Sequence, residues 1–275
     1  EAPNVVRSGM PLPAHRFGVN PGFAEVGRRN TIITARVRRR YDAHYTTNLT
    51  LKCVISGTAN YSTRHSHYAV DSSCFLLLNH GQTYDLHIRP DTGTETLAIF
   101  LEPRFAAAAM GAAVAGEHRL LDDPELASSF DGPFFERLYP VDGAVVAMLK
   151  RIAALLQSDR TLEGWIEDAF YDLAAKLPAL HAVAHREWTQ VPARRAPTRR
   201  EVYRRLAHAR DFAYSCYRDD LSVERLAEVA CMSPFHFHRA FRRTFKVTPT
   251  RYLQNRRLAV ARQLLESSDR TVAQI

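Results

Sequence analysis

Between residues 30 and 101, hydrophobic and polar residues alternate with a period of two, in short segments separated by turn residues. The segment 49–56 shows this alternation most clearly, and Gly57 follows it as a turn residue. Residues 74–78 form a continuous apolar run, which is typical of a strand buried on both faces. About six such segments in a row predict a small β-sandwich or β-barrel.

After Pro103 the hydrophobic positions recur with the period of a helix. An alanine-rich stretch covers residues 106–115, and residues 162–177 have the pattern of a further helix. Between them, one apolar stripe of helical spacing consists of Val145, Leu149, Ile152 and Leu156. We expect this stripe to join two subunits into a homodimer. The alternative is that it packs against the barrel of its own subunit.

Residues 191–197 contain two prolines and two arginines, a composition that is typical of a linker between domains. The residues after this segment have helical patterns throughout. The chain is therefore expected to divide into an N-terminal arm, a barrel, a helical dimerisation segment, a linker and an all-helical module. The predicted bounds of these parts are 1–29, 30–103, 104–190, 191–200 and 201–275.

The composition is that of a globular protein. The 275 residues suffice for one large domain or two ordinary ones, and a hydrophobic content of 46% excludes a disordered chain. No apolar run reaches the roughly 20 residues that a membrane helix needs, and no signal peptide is visible. The four cysteines lack a Cys-x-x-Cys spacing, so we expect reduced thiols rather than a zinc site. These features predict a cytoplasmic protein with no membrane partner.

The basic residues are concentrated in the last third of the chain. Residues 194–275 hold 18 Arg or Lys and 8 Asp or Glu, a balance of +10, within a total of +8. Residues 1–193 hold 19 basic and 21 acidic residues, a balance of −2. A basic module on a near-neutral body favours a polyanion such as DNA as partner. A solvated arginine-rich surface is the alternative.

Ser233-Pro234 and Thr248-Pro249 each predict the start of a helix, because Ser and Thr are preferred N-caps and Pro is a preferred first helical residue. The first of these helices has two distinct faces. Its apolar face consists of Phe237, Ala240, Phe241, Thr244 and Phe245. Its other face consists of Phe235, His238, Arg239, Arg242 and the adjacent Arg243. A short helix capped by Ser222 and a tight break at Cys231-Met232 precede it, which is the arrangement of a helix-turn-helix.

The module as a whole resembles the DNA-binding domain of the AraC/XylS family of transcriptional regulators. The resemblance runs from Val202 to Ile275 and rests on Met232-Ser233-Pro234, Phe237-His238-Arg239-Ala240-Phe241-Arg242, Thr248-Pro249 and Arg257-Leu258-Ala259. It implies base contacts from Phe235, His238 and Arg239, with Arg242 on the DNA backbone, and Arg243 is a further candidate DNA-binding residue. The family has two helix-turn-helix units. The segment 271–275 repeats the spacing of residues 222–226, so we expect the second unit to be cut off where it begins.

The strand region, at residues 51–57 and 68–84, resembles the cupin-type sensor domain found in many such regulators. The expected fold class is therefore α+β, with a cupin-like barrel followed by helices and an all-α helix-turn-helix domain. The positions that hold metal in cupins are occupied here by His44, Thr46, Thr50 and Tyr84. Only His44 is a competent ligand, so no metal and no cofactor are expected. His65 and His67 are an alternative metal pair, although a polar outer face is favoured for them, and His87 is also expected to be exposed.

In the resemblance these substituted positions point into the barrel, so His44, Thr46, Thr50 and Tyr84 are candidate ligand-binding residues. Lys52 shares the parity of Thr50, and a lysine in that interior would need an anion as partner. The alternative parity places Leu51 and Cys53 inside and Lys52 in solvent. The sequence alone leaves both open.

The preferred interpretation is a ligand-responsive regulator that binds a small effector in its barrel and double-stranded DNA through its C-terminal module. It is not expected to be an enzyme, because no nucleophile–base pair, phosphate-binding loop or acidic pair is evident. Two alternatives stay open. One is a metal-dependent cupin enzyme with a fused basic module, and the other is a ligand-independent regulator whose barrel serves only for dimerisation.

Overall fold

The chain forms two compact units, residues 1–182 and residues 183–275. The computed structural model describes residues 4–8, 30–64, 66–89, 93–105, 108, 134–140, 148–149, 151–152, 163–267 and 271–274. The predicted alanine-rich stretch at 106–115 lies almost entirely outside the described residues.

Ten strands make up the described sheets of the first unit. They are β1 (Asn4–Ser8), β2 (Thr31–Val37), β3 (Arg40–Thr46), β4 (Thr50–Ser56), β5 (Ala59–Thr63), β6 (His67–Val70), β7 (Cys74–Leu78), β8 (Thr83–Ile88), β9 (Thr94–Phe100) and β10 (Leu138–Pro140). A six-stranded sheet has the order β1-β2-β9-β4-β7-β10, and a four-stranded sheet has the order β3-β8-β5-β6.

The two sheets pack face to face, and β4 and β7 lie inside the larger one. β4 pairs antiparallel with β7, with Thr50 opposite Leu78, and also with β9. All five residues of β7 are buried, which confirms the prediction made from the apolar run at 74–78. In β4 both faces are buried from Thr50 to Val54. The alternative that placed Lys52 in solvent is therefore wrong, because the side chain of Lys52 is only 2% exposed.

Two strands come from segments for which no strand was predicted. β1 lies in the predicted arm 1–29 and pairs in parallel with β2, so that Asn4 is opposite Thr31. β10 lies in the predicted helical segment 104–190 and pairs antiparallel with β7. The ring of Tyr139 on β10 stacks on Phe75 at 5.5 Å. A three-residue strand has no periodicity of its own, so only its pairing partner defines it.

The side chain of Glu136, just before β10, joins this segment to the smaller sheet. Its Oε1 accepts hydrogen bonds from the hydroxyls of Thr63 at 2.5 Å and Tyr68 at 3.1 Å. Its Oε2 accepts a bond from Gln82 Nε2 at 2.7 Å. One carboxylate thus connects β5, β6 and the turn before β8 to the segment that completes the larger sheet.

The apolar stripe expected to form a dimer is only partly described. Leu149 and Ile152 are buried within the single chain, at 5% and 1% exposure, and residues 145 and 156 lie outside the described part. Two side chains that are already buried in the chain offer no free surface to a second subunit. The expectation of dimerisation through these residues is therefore wrong, and the alternative of packing within the same subunit holds.

From residue 163 onward, the described residues form five helices and one short 3₁₀ helix. They are α1 (Glu163–Thr189), α2 (Ala196–Ser215), α3 (Val223–Val229), α4 (Pro234–Phe245), α5 (Pro249–Ser267) and the 3₁₀ helix Val272–Gln274. α1 continues through Pro178 beyond its predicted end at residue 177 and contains the boundary between the units.

The predicted linker at 191–200 is shorter in the structure, because α2 begins at Ala196. Pro197 lies in the first turn of α2, where its missing N–H leaves no hydrogen bond unmade. Val191 is buried, and Arg199 Nη2 donates to the carbonyl of Ala193 at 2.9 Å. Residues 191–195 thus form a packed turn, and Pro197 belongs to the start of α2 rather than to a linker.

Most of the predicted helix caps are present. Ser222 Oγ accepts the N–H of Arg225 at 3.1 Å, and Thr248 Oγ1 accepts the N–H of Arg251 at 3.3 Å. Ser233 occupies the N-cap position of α4 with extended backbone, but its hydroxyl bonds to the ring of His236 at 2.9 Å instead of capping the helix.

Gly57 and Gly81 are a matched pair for testing the turns of the first unit. Both have a left-handed backbone, with φ of 80° and 79°. A Cβ at Gly57 would lie 2.6 Å from Thr94 Oγ1 and 3.0 Å from Thr94 Cα, whereas a Cβ at Gly81 would meet nothing within 4 Å. We expect Gly81→Ala to cost about 1–2 kcal/mol of unfolding free energy, and Gly57→Ala about 1–3 kcal/mol more because of the clash. Calorimetry of the full chain measures both, and equal losses would contradict the packing argument.

Candidate nucleic-acid interface and effector site

Helix α4 is anchored by a cluster of aromatic rings. Phe237 and Phe241 are fully buried, with ring centroids 5.4 Å apart, and Phe241 also contacts Phe245 at 4.7 Å and Tyr252 at 6.0 Å. The predicted apolar face is confirmed, except that Phe245 is only half-buried. These rings pack against one another and against Tyr252 of α5, so they determine which side of α4 faces solvent.

The opposite face of α4 is basic and open. Phe235 is 71% exposed, and Arg239, Arg242 and Arg243 are exposed, while His238 is half-buried. None of these three arginines forms an ion pair with a carboxylate in the described part of the chain. Arg225 on α3, by contrast, pairs with Glu228 at 2.9 Å. The cations of α4 are thus available to an external anion.

A tight turn sets α4 against α3. Cys231 has a left-handed backbone with φ of 50°, and its N–H donates to the carbonyl of Glu228 at 2.9 Å. The N–H of Met232 donates to the carbonyl of Ala227 at 2.9 Å. The break predicted at Cys231-Met232 is therefore present. It gives α3, the turn and α4 the form of a helix-turn-helix.

A buried ionic cluster connects the end of α1 to α2 in the second unit. Arg210 Nη2 lies 2.6 Å from Asp211 Oδ1 and both side chains are buried, while Arg210 Nη1 lies 3.7 Å from Glu187 Oε2. Tyr203 donates its hydroxyl to Glu187 at 2.7 Å. Glu187 belongs to the last turn of α1, so this turn is part of the second unit. Sequence patterns gave no signal for the cluster, because its charges resemble surface residues.

In the first unit, Lys52 crosses from one sheet to the other. The side chain comes from β4, is only 2% exposed, and donates from Nζ to the hydroxyl of Tyr84 on β8 at 2.7 Å. The same nitrogen lies 4.4 Å from the ring centroids of both Tyr84 and Phe100. Two of the five predicted ligand-binding residues are thus brought together between the sheets.

Of the other three predicted residues, one is buried on β4 and two lie elsewhere. Thr50 is buried, but its hydroxyl donates to the carbonyl of Asn48 at 2.8 Å and lies 2.6 Å from the hydroxyl of Thr47. His44 and Thr46 are exposed on the outer face of the smaller sheet, so their placement inside the barrel was wrong.

A β-bulge causes this error. In the pairing of β3 with β8, Asp42 is opposite Leu86 and Tyr45 is opposite Tyr84, so β3 carries one extra residue between them. His44 has a left-handed backbone there, with φ of 55°, and its N–H donates to Asp85 Oδ1 at 2.7 Å. An extra residue reverses the parity of the side chains beyond it. Tyr45 therefore takes the inward place that the spacing assigned to its neighbours.

Residues that the sequence analysis missed complete the surroundings of Lys52 and Tyr84. The rings of Tyr45 and Tyr61 lie 5.7 Å and 5.8 Å from the ring of Tyr84. On β3, Arg40 Nε donates to Asp42 Oδ2 at 2.6 Å, and both side chains are partly exposed.

Burial changes the protonation of this group. It lowers the pKa of Lys52 to about 7; the charge of Arg40 acts in the same direction and that of Asp42 opposes it. Burial also raises the pKa of Tyr61 and Tyr84 well above the usual range, so both remain neutral phenols. Near neutral pH, Lys52 is the group that changes its charge.

The histidines proposed as alternative metal ligands are only partly within the described residues. His67 is exposed, with Nδ1 2.8 Å from Ser62 Oγ, His87 is exposed as predicted, and His65 lies outside the described residues. Within the described ranges, no three His, Cys, Asp or Glu side chains form a group that could hold a metal ion. No helix in the same ranges is long and apolar enough to cross a membrane.

Comparison with known proteins identifies both units. A sequence profile of the AraC-like ligand binding domain matches residues 31–169, just over half of the chain, and a helix-turn-helix domain profile matches residues 226–275. The chain belongs to the AraC family of transcriptional regulators. The AraC/XylS resemblance and the cupin-like α+β fold class are thereby confirmed. This AraC-family chain has the domain organisation of a ligand-responsive transcription regulator.

Two examples illustrate the solved structures that are similar to this chain. ToxT from Vibrio cholerae is 13% identical, and the match covers 82% of this chain and 98% of that chain with a TM-score of 0.36. The AraC-like transcriptional activator CuxR is 12% identical, and the match covers 80% of this chain and 69% of that chain with a TM-score of 0.32. Among proteins with curated descriptions, none matches the sequence significantly.

The lowered pKa of Lys52 predicts how stability depends on pH. The folded chain binds fewer protons than the unfolded chain between pH 7 and pH 10.5, so the cost of burying the ammonium is full below pH 7 and falls as pH rises. We expect Lys52→Met to be more stable than the unsubstituted chain at pH 6, and this advantage to shrink by about 2–3 kcal/mol at pH 9. Urea unfolding of both chains at the two pH values measures this, and a constant difference would contradict it.

Proposed function

We propose that this AraC-family chain binds double-stranded DNA with α4 as its recognition helix, and that a small effector bound between the two sheets controls this binding. The observation that carries the proposal is the division of α4 into a buried aromatic face and an open face with three unpaired arginines, within the described part of the chain. Such a helix, held by a tight turn behind a shorter helix, fits the major groove.

The residues of the open face have different expected roles. Phe235 and Arg239 lie in the first half of α4, where a recognition helix meets base edges, and His238 flanks them. A guanidinium can contact a guanine through two hydrogen bonds, and an exposed phenyl ring suits a thymine methyl group. Arg242 and Arg243 lie near the C-terminal end of α4 and contact phosphates, which orient the helix without reading sequence.

The effector site is supported by the match to the AraC-like ligand binding domain and by the Lys52–Tyr84 pair inside it. Thr50 lines the same interior, although its hydroxyl is already bonded. Effector binding acts by favouring one state of the protein over another. It changes the affinity for DNA only if the two states differ both in their affinity for the effector and in their affinity for DNA. A regulator whose barrel binds no ligand would show no such change.

We also propose a homodimer. Leu149 and Ile152 are buried within the chain, so other residues form its interface. Sedimentation of the full chain measures the oligomeric state. The alternative of a metal-dependent cupin enzyme predicts one iron, zinc or manganese ion per chain, which elemental analysis measures. We propose a regulator instead, because hydroxyls replace three of the four cupin ligand positions.

Binding of the full chain to duplex DNA is expected to weaken steeply with salt, since each arginine–phosphate contact releases a counterion. Arg242→Ala should lower the slope of log K against log salt by about one. Arg36→Ala, which removes an exposed charge from the first unit, is the matched control and should leave the slope unchanged. Fluorescence anisotropy over a salt series measures the slopes. Salt-independent binding would contradict the proposed interface.

Arg239 and Arg242 should differ in the kind of affinity they supply. On a duplex selected from a random pool, we expect Arg239→Ala to cost about 1–3 kcal/mol, and much less on a scrambled duplex, because it loses a base contact. Arg242→Ala should weaken both duplexes by a similar factor. Equal losses on both duplexes for Arg239→Ala would show that it is an electrostatic contact only.

A further inference from the structure

Lys52 and Tyr84 leave hydrogen-bonding capacity unused. An ammonium has three donors, and within the described residues Lys52 has one hydrogen-bond acceptor, the hydroxyl of Tyr84 at 2.7 Å. Its remaining contacts are the faces of the Tyr84 and Phe100 rings. Tyr84 accepts the bond from Lys52, and its own O–H has no acceptor in the described part of the chain. The pair therefore presents donors on both members and no counter-charge.

The acidic side chain whose charge acts on Lys52 already has a partner. Asp42 accepts the hydrogen bond from Arg40 Nε at 2.6 Å, so these two charges largely balance each other on β3. A buried cation without its own counter-ion is costly, and an apolar residue of similar length would avoid that cost. The fold alone gives no reason for a lysine at this position, which points to a ligand.

We infer that Lys52 and Tyr84 together bind the carboxylate of a small, otherwise apolar effector. This inference rests on the proposed function and names the ligand class of its effector site. One carboxylate oxygen accepts from the ammonium of Lys52 and the other from the hydroxyl of Tyr84. The rings of Phe100, Tyr61 and Tyr45 surround the pair and suit the apolar remainder of the ligand. An uncharged amide offers the same acceptor but no negative charge.

Binding of the carboxylate is coupled to a proton. The charged groups near Lys52 are Arg40 and Asp42 on β3, which pair with each other. Tyr84 on β8, Tyr61 on β5 and Cys53 on β4 stay neutral, because burial raises the pKa of each. This leaves Lys52, with its pKa lowered to about 7, as the group that gains a proton when the anion arrives. Affinity for a carboxylate should therefore fall about tenfold from pH 6 to pH 8.

Calorimetric titration of the full chain tests this with three acids and their amides as probes: benzoate and benzamide, phenylacetate and phenylacetamide, and hexanoate and hexanamide. We expect at least one acid to bind and its amide to bind at least tenfold more weakly, because the amide lacks the charge. Titrations in buffers of different ionisation enthalpy should show proton uptake at pH 8 that is nearly absent at pH 6. Equal binding of acid and amide, affinity independent of pH, or no binding of any of the three acids would overturn the inference.

Two variants locate the binding site. Lys52→Met should abolish binding of the acid, and Tyr84→Phe should weaken it several-fold while keeping the ring. Thr46→Val is the matched control, because Thr46 lies on the outer face of the same small sheet, and it should bind like the unsubstituted chain. Should Lys52→Met fail to fold, Tyr84→Phe and the pH dependence still decide the matter. Unchanged affinity in folded Lys52→Met and Tyr84→Phe would place the ligand elsewhere and overturn the inference.

The failure of this inference and the failure of the proposed function give different results. If an acid binds at Lys52 but DNA affinity does not respond, the carboxylate site stands and ligand control of DNA binding is wrong. If a ligand changes the DNA affinity of Lys52→Met as much as that of the unsubstituted chain, ligand control of DNA binding is supported and the carboxylate site is wrong. DNA anisotropy measured with and without the bound acid, on both chains, separates these results.

Discussion

The hydrogen bond from Lys52 to Tyr84 connects the two sheets at the place where water has been removed from a charged group. A buried ammonium costs free energy unless it is paired, and that cost determines the properties of its surroundings. It lowers the pKa of Lys52 to about 7, and the bond to Tyr84 leaves two donors of the ammonium unused within the described residues. From these two properties we infer that the interior prefers an anion. The effector chemistry proposed for this chain follows from that one buried nitrogen.

Glu136 in the first unit and the Arg210–Asp211 pair in the second have protein partners, so they stabilise structure rather than suggest a ligand. Glu136 accepts three hydrogen bonds and holds β10 against the smaller sheet. Arg210 and Asp211 pair with each other, and Glu187 and Tyr203 complete their cluster at the end of α1. Removing either Arg210 or Asp211 would leave the other as an unpaired buried charge, which is more costly than replacing both.

The DNA-binding unit separates stability from recognition on one helix. Phe237 and Phe241 face inward and hold α4, whereas Arg239 and Arg242 face solvent and contribute little to the fold. Because 3.6 residues make one turn, the two sets alternate along the sequence without sharing a side. Substitutions in the solvent-facing set can therefore test the proposed DNA contacts with little interference from unfolding, unlike those in the aromatic set.

The sequence by itself determined the features that depend on local period and capping: the buried run of β7, both faces of α4, the tight turn at Cys231 and the positions of Ser222 and Thr248 as caps. These are set by residues close together in the chain, so the pattern is sufficient to predict them. Only the tertiary structure decided what depends on distant partners. The bulge in β3 moved His44 and Thr46 outside and Tyr45 inside, β1 and β10 exist only because β2 and β7 pair with them, and Leu149 and Ile152 lost their role as a dimer surface because they are buried in the chain itself. A single inserted residue reverses every side chain after it, and periodicity cannot show where it lies.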